Sequence, residues 1–219
     1  MTSTTASSLR RVISPLENVQ EGRHSLQGLP LEGEGITIRE FRRSDEETRQ
    51  KWAKFADFYL LKYNFMPQAA ADNDLTFHRL KDRIRLAVEN SASELIGYVS
   101  LKAVKKDPGA AELGICFAAD QVSRGFGRQV LELILPWATR VLKLRRILLE
   151  VDAVNSRALR LYRRFGFRPV SQTWKREDNP ALREYVSRCG PAYGIRYQHR
   201  RLELLSWRME WRAPESIPP

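Results

Sequence analysis

The sequence predicts an α/β (α+β) fold built as a single domain. Three observations carry this reading. Runs with a two-residue apolar period recur along the chain between runs of helical period. Two strand-like runs, 84–89 and 95–101, flank the polar turn 90–93 as a hairpin. A third, 111–117, leads straight into a glycine-containing segment that opens a long helix. With 219 residues, 42% of them apolar and 10% aromatic, the chain can bury one sizeable core.

Residues 36–41 read as the first strand, with Ile36 and Ile38 on one face and Thr37 and Arg39 on the other. Ser44 and Glu47 form a capping box for a helix in which Trp52, Phe55, Ala56, Tyr59, Leu60 and Tyr63 repeat at helical spacing. Pro67 ends that helix, and a second is expected over 74–81. After the hairpin, 105–109 mark a turn before the strand 111–117. The long helix runs to about residue 141, with Val130, Leu131, Ile134 and Ala138 on one face. Pro136 removes one of its backbone hydrogen bonds, at a cost of about 3 kcal/mol, which predicts a bend.

Residues 146–151 form a short strand, Asn155 is a helix N-cap, and Gly166 closes the helix that follows. Residues 167–174 return as a strand. In the last strand Leu205, Trp207, Met209 and Trp211 alternate with Ser206, Arg208 and Glu210, which predicts one buried and one wet face. The roughly 25 residues between these strands hold Pro180, Gly190, Pro191 and Gly194. They are either a substrate-contacting insertion or a disordered excursion.

Residues 1–33 are expected to be a flexible arm, 34–213 the folded domain and 214–219 a tail. Arg10 and Arg11, with no acid before Glu17, leave an organelle transit peptide open, whereas the apolar content is too thin for a secretory signal. No apolar run approaches the roughly 18 residues that cross a bilayer, so a soluble, cytoplasmic protein without membrane contact is expected. Cys116 and Cys189 do not make a disulfide framework, and Cys116 reads as a small buried hydrophobe. His24, His78 and His199 have no ligand spacing, so no metal is expected. The net charge of +11 belongs to the folded part and favours polyanions: a phosphorylated cofactor, an acidic protein or RNA. A basic surface kept for solubility explains it equally well.

The chemistry rests on two motifs. Arg124, Gly125, Phe126, Gly127 and Arg128 follow a strand and open a helix, an arrangement that points unpaired backbone N–H groups at an anion. Glycine at 125 and 127 leaves room for the main chain to approach a pyrophosphate. The second motif runs from Glu150, Val151 and Asp152 through Asn155, Ser156, Arg157, Ala158 and Tyr162 to Phe165, Gly166 and Phe167. In this order and about twenty-five residues apart, the two resemble the acetyl-coenzyme A-binding core of the GNAT acetyltransferase superfamily. The resemblance extends over 36–211 and is tightest over 112–167.

The resemblance implies the GNAT fold: a mixed, mostly antiparallel central sheet flanked by helices. It implies acetyl-coenzyme A as cosubstrate, with the diphosphate on the amides of Ser123, Arg124, Gly125, Phe126, Gly127, Arg128 and Gln129. It further implies that the pantetheine arm runs along Leu113, Ile115 and Phe117, and that Asn155, Ala158 and Tyr162 touch the cofactor. The family's loop usually begins with Gln or Arg where this chain has Val122. Binding is therefore expected to be weakened rather than absent, with Arg124 or Arg128 compensating.

A lysine-like ammonium must lose a proton before it attacks, at a cost of about 4.6 kcal/mol at pH 7, against about 1.4 for an α-amine. Glu150 resembles in position the glutamate base of bacterial ribosomal-protein N-terminal acetyltransferases, and Glu112 on the preceding strand is the second candidate. Tyr162 is the candidate donor to the departing thiolate. The expected reaction is direct attack by a primary amine in a ternary complex. The acceptor reads as a protein N-terminus, with a small amine close behind. In this fold, residues 43–81 and the insertion are expected to select it, with Tyr185, Tyr193 and Tyr197 as contacts. A non-catalytic acetyl-coenzyme A sensor, or a module bound to RNA or the ribosome through its basic face, is the rival reading; the protein is expected to be a monomer or homodimer.

Overall fold

The structure, a computed structural model, describes residues 26–57, 59–64, 83–104 and 107–214. Among these, nine strands make one sheet: β1 (Leu31–Glu32), β2 (Ile36–Glu40), β3 (Arg83–Asn90), β4 (Leu95–Val104), β5 (Asp107–Phe117), β6 (Arg146–Asp152), β7 (Arg168–Arg176), β8 (Ile195–Gln198) and β9 (Arg201–Arg212). Their order is β1-β2-β3-β4-β5-β6-β9-β7, with β8 also on β9. Every pairing is antiparallel except β5 with β6. Four α-helices among the described residues accompany the sheet: α1 (Arg43–Gln50), α2 (Phe126–Arg140), α3 (Ser156–Arg164) and α4 (Pro180–Cys189). The mixed, mostly antiparallel sheet is the one expected.

The apolar stripe of α2 explains its place. Val130, Leu131, Ile134, Trp137 and Ala138 join Leu86, Val99, Leu101, Ile147, Leu149 and Met209 of the sheet in one core, to which α3 adds Leu159 and Tyr162. Each fully buried aliphatic side chain there contributes about 1.5–3 kcal/mol. The helix continues unbroken through Pro136. Residues 1–25 of the expected arm lie outside the described residues, as do Pro67 and the helix expected over 74–81. From residue 26 the chain is tied down, since Trp137 Nε1 donates to Gln27 O at 3.0 Å and β1 pairs with β2.

Three expectations are corrected. The first helix is shorter than its periodicity predicts. Its N-terminus is set by Asp45, whose carboxylate accepts the Arg42 N–H at 2.6 Å and is gripped by Arg39 at 2.7 and 2.8 Å, so the Ser44–Glu47 box does not form the start. The helix stops at Gln50 because later partners outbid it. Trp52 Nε1 donates to Leu95 O at 3.0 Å, and Asn64 takes both backbone groups of Phe55, at 2.6 and 2.9 Å. Among the described residues of this stretch, Leu61–Tyr63 form one further helical turn, of the 3-10 kind. Second, Pro108 and Gly109 belong to β5, not to the turn before it.

Third, the face of β9 expected to be wet is largely covered: Ser206 and Glu210 are only 5% and 9% exposed, and Arg208 is half-buried. Burial works against the Glu210 charge, but ion pairs with Arg146 and Arg212 outweigh it and hold the carboxyl below its usual range.

The insertion is folded. Asn179 caps α4 by accepting the N–H groups of Ala181 and Leu182 at 3.0 and 3.3 Å, Pro180 occupies its first position, and Gly190 follows it at φ 80°. Leu182, Val186, Ile195, Leu202 and Leu204 form a second small core with Tyr59 and Tyr185 against it. This unit is stitched to the main sheet along one edge of β9: Ala153 N–H donates to Leu205 O, and Leu205 N–H to Gly194 O, both at 2.8 Å. Gly194 has φ 81°, and a Cβ there would lie 2.6 Å from Ala153 Cβ. Gly194→Ala is therefore expected to cost about 2–4 kcal/mol, which a thermal melt should read as a fall in Tm of about 5–15 °C.

Candidate active site

β5 and β6 are hydrogen-bonded only where Ala110, Ala111 and Glu112 face Arg146, Ile147 and Leu148. Beyond that point β5 continues to Phe117 and β6 to Asp152, and the two separate. The gap opens into a cavity of about 700 Å³. Leu113, Ile115 and Phe117 line it from β5, Glu150 and Val151 from β6, and Asn155, Arg157, Ala158, Leu161 and Tyr162 from α3 and its cap.

One end of the cavity is the start of α2. Ser123 and Gly125 have φ 65° and 85°, which folds the loop back under the helix. The N–H groups of Arg128 and Gln129 close on Gly125 O at 3.0 and 3.3 Å, whereas those of Phe126 and Gly127 precede any intrahelical acceptor. A fifteen-residue helix adds its dipole to these donors. The two glycines serve different ends. A Cβ at Gly125 would meet nothing within 4 Å, so its requirement is conformational. A Cβ at Gly127 would lie 2.9 Å from Leu161 Cδ2, so that glycine lets α2 and α3 approach rather than clearing space for a ligand.

Ser123, Gly125, Phe126, Gly127 and Arg128 line the cavity, but Arg124 and Gln129 do not. Gln129 instead accepts the Gly35 N–H through Oε1 at 3.0 Å. Arg157, named in the second motif but not assigned to the site from the sequence, donates to Ser123 Oγ at 3.2 Å beside the loop. Asn155 caps α3 by accepting the Ala158 N–H at 3.2 Å.

Tyr162 is 9% exposed, with its ring 5.6 Å from that of Phe167. Burial first and then neighbouring Cys116 push its phenol up to about 12, so it keeps its proton throughout the neutral range. Cys116, also on the cavity, is pushed up to about 11 by burial and stays a thiol. Glu150 reaches the cavity with its carboxylate ion-paired to Lys175 of β7. Glu112 is exposed and is not brought to the cavity.

The opposite end is walled by Phe55, Leu60, Tyr63 and Asn64 from the irregular segment after α1, with Tyr98 and Ser100 from β4. Tyr63 OH donates to Asp152 Oδ2 at 2.6 Å. Burial, then the Asp152 charge, raise the Tyr63 phenol well above its usual range. The sequence reading quotes Asp152 in the second motif without giving it a role, although its two-residue spacing from Glu150 on one strand places both on the same face. Tyr185, Tyr193 and Tyr197 do not line the cavity: Tyr185 stands edge-on to Tyr59 at 5.6 Å, Tyr197 OH donates to Arg183 O, and Tyr193 is 73% exposed.

This arrangement sits inside a stretch, residues 36–168, that matches the family model for the acetyltransferase (GNAT) domain. The chain belongs to the GNAT acetyltransferase domain family. Over 83 residues it is 32% identical to spermidine N(1)-acetyltransferase of Vibrio cholerae serotype O1, covering 38% of this chain; the match spans about half of that enzyme's length, 48%. The GNAT fold also aligns with a crystal structure of spermidine N-acetyltransferase from Vibrio cholerae in complex with CoA and spermine: TM-score 0.58, 20% identity, 81% of this chain and 95% of the other. A GNAT-family acetyltransferase from Bacillus anthracis aligns with TM-score 0.58 and 14% identity over 84% of this chain and 98% of its own. At these identities the two structures establish shared architecture.

Proposed function

We propose that this GNAT protein transfers an acetyl group from acetyl-coenzyme A to the primary amine of a small molecule. The observation that carries the reading is the gap between β5 and β6, with the amide-rich start of α2 at one end and buried Tyr162 along it. The residues present fit the cofactor. Amides of 126 and 127 with Arg128 would hold a diphosphate, and the open edge of β5 from Leu113 to Phe117 would pair with an amide-containing arm. Bound acetyl-coenzyme A supplies an activated acetyl group and a thiol-type leaving group.

The chain's own contribution is to strip and return protons. Glu150, 39% exposed, takes the amine's proton directly or through water, and Tyr162 supplies one to the departing sulfur. No enzyme nucleophile is required. A small acceptor is proposed in place of the protein N-terminus favoured by the sequence, because the two Vibrio cholerae relatives are named as spermidine acetyltransferases. The protein is proposed to work in the cytoplasm; no helix among the described residues is long and apolar enough to cross a membrane.

Release of free coenzyme A, measured with and without primary amines and paired with mass spectrometry for one added acetyl group, tests the proposal. Turnover with a small amine is the expected result. Tight cofactor binding with no turnover on any amine or peptide N-terminus would replace the enzyme with a sensor. Because water can reach Glu150 and stand in as proton acceptor, Glu150→Gln is expected to lower kcat/KM only about tenfold, and an unchanged value would remove Glu150 as the base.

A further inference from the structure

A coenzyme A diphosphate would bring full negative charge to the start of α2, where the amides of 126 and 127 offer only the partial charge of a helix end. The side chains of the loop do little to neutralise it. Val122 and Phe126 line the cavity and are apolar. Gln121, beside them, turns to Asp120, its Nε2 donating to Oδ2 at 3.1 Å. Arg124 does not line the cavity. Arg128 does, but its side chain is 65% exposed and shares its charge with Glu132 at 2.7 Å.

Arg157 differs on each count. It lines the cavity, is half-buried, and donates from Nη1 to Ser123 Oγ at 3.2 Å, which sets its guanidinium against the loop. Among the described residues no carboxylate pairs with it. The bond to Ser123 uses one N–H group and leaves the rest of the planar fork for phosphate oxygens. Its place in the chain also needs a reason. Arg157 is the second residue of α3, in a first turn that holds no acid, and a cation there opposes the dipole of its own helix. An anion in the cavity, which the first turns of α2 and α3 both line, turns that cost into a gain.

We propose that Arg157, reaching across from α3, supplies the main side-chain charge that grips the diphosphate of acetyl-coenzyme A, in the role expected of Arg124 or Arg128. This rests on the acetyl-coenzyme A reading above and adds to it the residue on which the cofactor's anionic end depends. The test is calorimetry on the full chain with coenzyme A and with dephospho-coenzyme A, which keeps the diphosphate but lacks the ribose phosphate. Arg157→Ala should lower the affinity for coenzyme A about tenfold to a hundredfold. The loss for dephospho-coenzyme A should match it within about threefold, because the group gripped is common to both. Ser123→Ala, which removes the tether and keeps the guanidinium, should lose less than about threefold. Arg157→Lys, which keeps the charge without the fork, should lose about threefold to tenfold and decides the question if the alanine chain does not fold.

Unchanged coenzyme A affinity in the alanine and lysine variants overturns this inference and leaves the cofactor reading standing. A loss in Ser123→Ala as large as that in Arg157→Ala overturns it too, because Arg157 would then only brace the loop. A loss for coenzyme A without one for dephospho-coenzyme A would move the guanidinium to the ribose phosphate and overturn the assignment to the diphosphate. Absence of binding of either compound to the unsubstituted chain overturns the acetyl-coenzyme A reading and this one together.

Discussion

Gly125→Val is expected to weaken acetyl-coenzyme A binding by about tenfold to a hundredfold, or about 1.4–2.7 kcal/mol by calorimetry. Position 125 has φ 85°, a region that costs an ordinary L-residue about 1–2 kcal/mol and a β-branched one more. The substituted chain relieves that strain by rotating the peptide ahead of α2, which re-aims the N–H groups of Phe126 and Gly127. Crowding plays no part, because the space beside Gly125 is open to 4 Å. Thermal stability should therefore change far less than affinity. A loss of folding with unchanged affinity would reverse the assignment of this loop. Gly127→Ala is the contrasting control, since its methyl presses on Leu161 and should disturb helix packing first.

Tyr162→Phe is expected to lower kcat about a hundredfold while the dissociation constant of acetyl-coenzyme A moves less than about threefold. The phenol is buried and lines the cavity, and burial pushes it up to about 12, so at neutral pH it carries the proton that this step needs. No falling limb of the rate should arise from its ionisation below that pH. Equal losses in kcat and in cofactor affinity would mean that the hydroxyl supports packing against Phe167 rather than proton transfer.

What the sequence reveals well is what is decided locally. Asn155 bonds an amide three residues away, and Gly166 adopts φ 85° where α3 must stop, so both helix ends are written in adjacent residues. The loop at 123–128 is local in the same way. The misread elements depend on distant partners. The stripe from Trp52 to Tyr63 has a helical period, but that periodicity alone says nothing of the carbonyl of Leu95 that claims Trp52. Alternation in β9 cannot disclose that β6 and β7 flank it, or that Arg146 comes to meet Glu210. The site shows the same division. The amide cradle is contiguous, whereas Tyr63 and Asp152 stand 89 residues apart and meet only after the sheet closes. The separation of β5 from β6 leaves no mark in either strand's pattern, since each keeps a full set of partners on its other side.

The position of β9 bears on how the protein is made. This strand is translated after all the others in the sheet, yet it supplies the neighbour that β7 and β8 pair with and one of the two flanking β6. Until residues 201–212 are in place, β7 lacks its partner in the sheet and the outer margin of β6 stays bare. Completion of the sheet therefore waits on β9, and a chain lacking it would present unpaired strand margins prone to association with other chains.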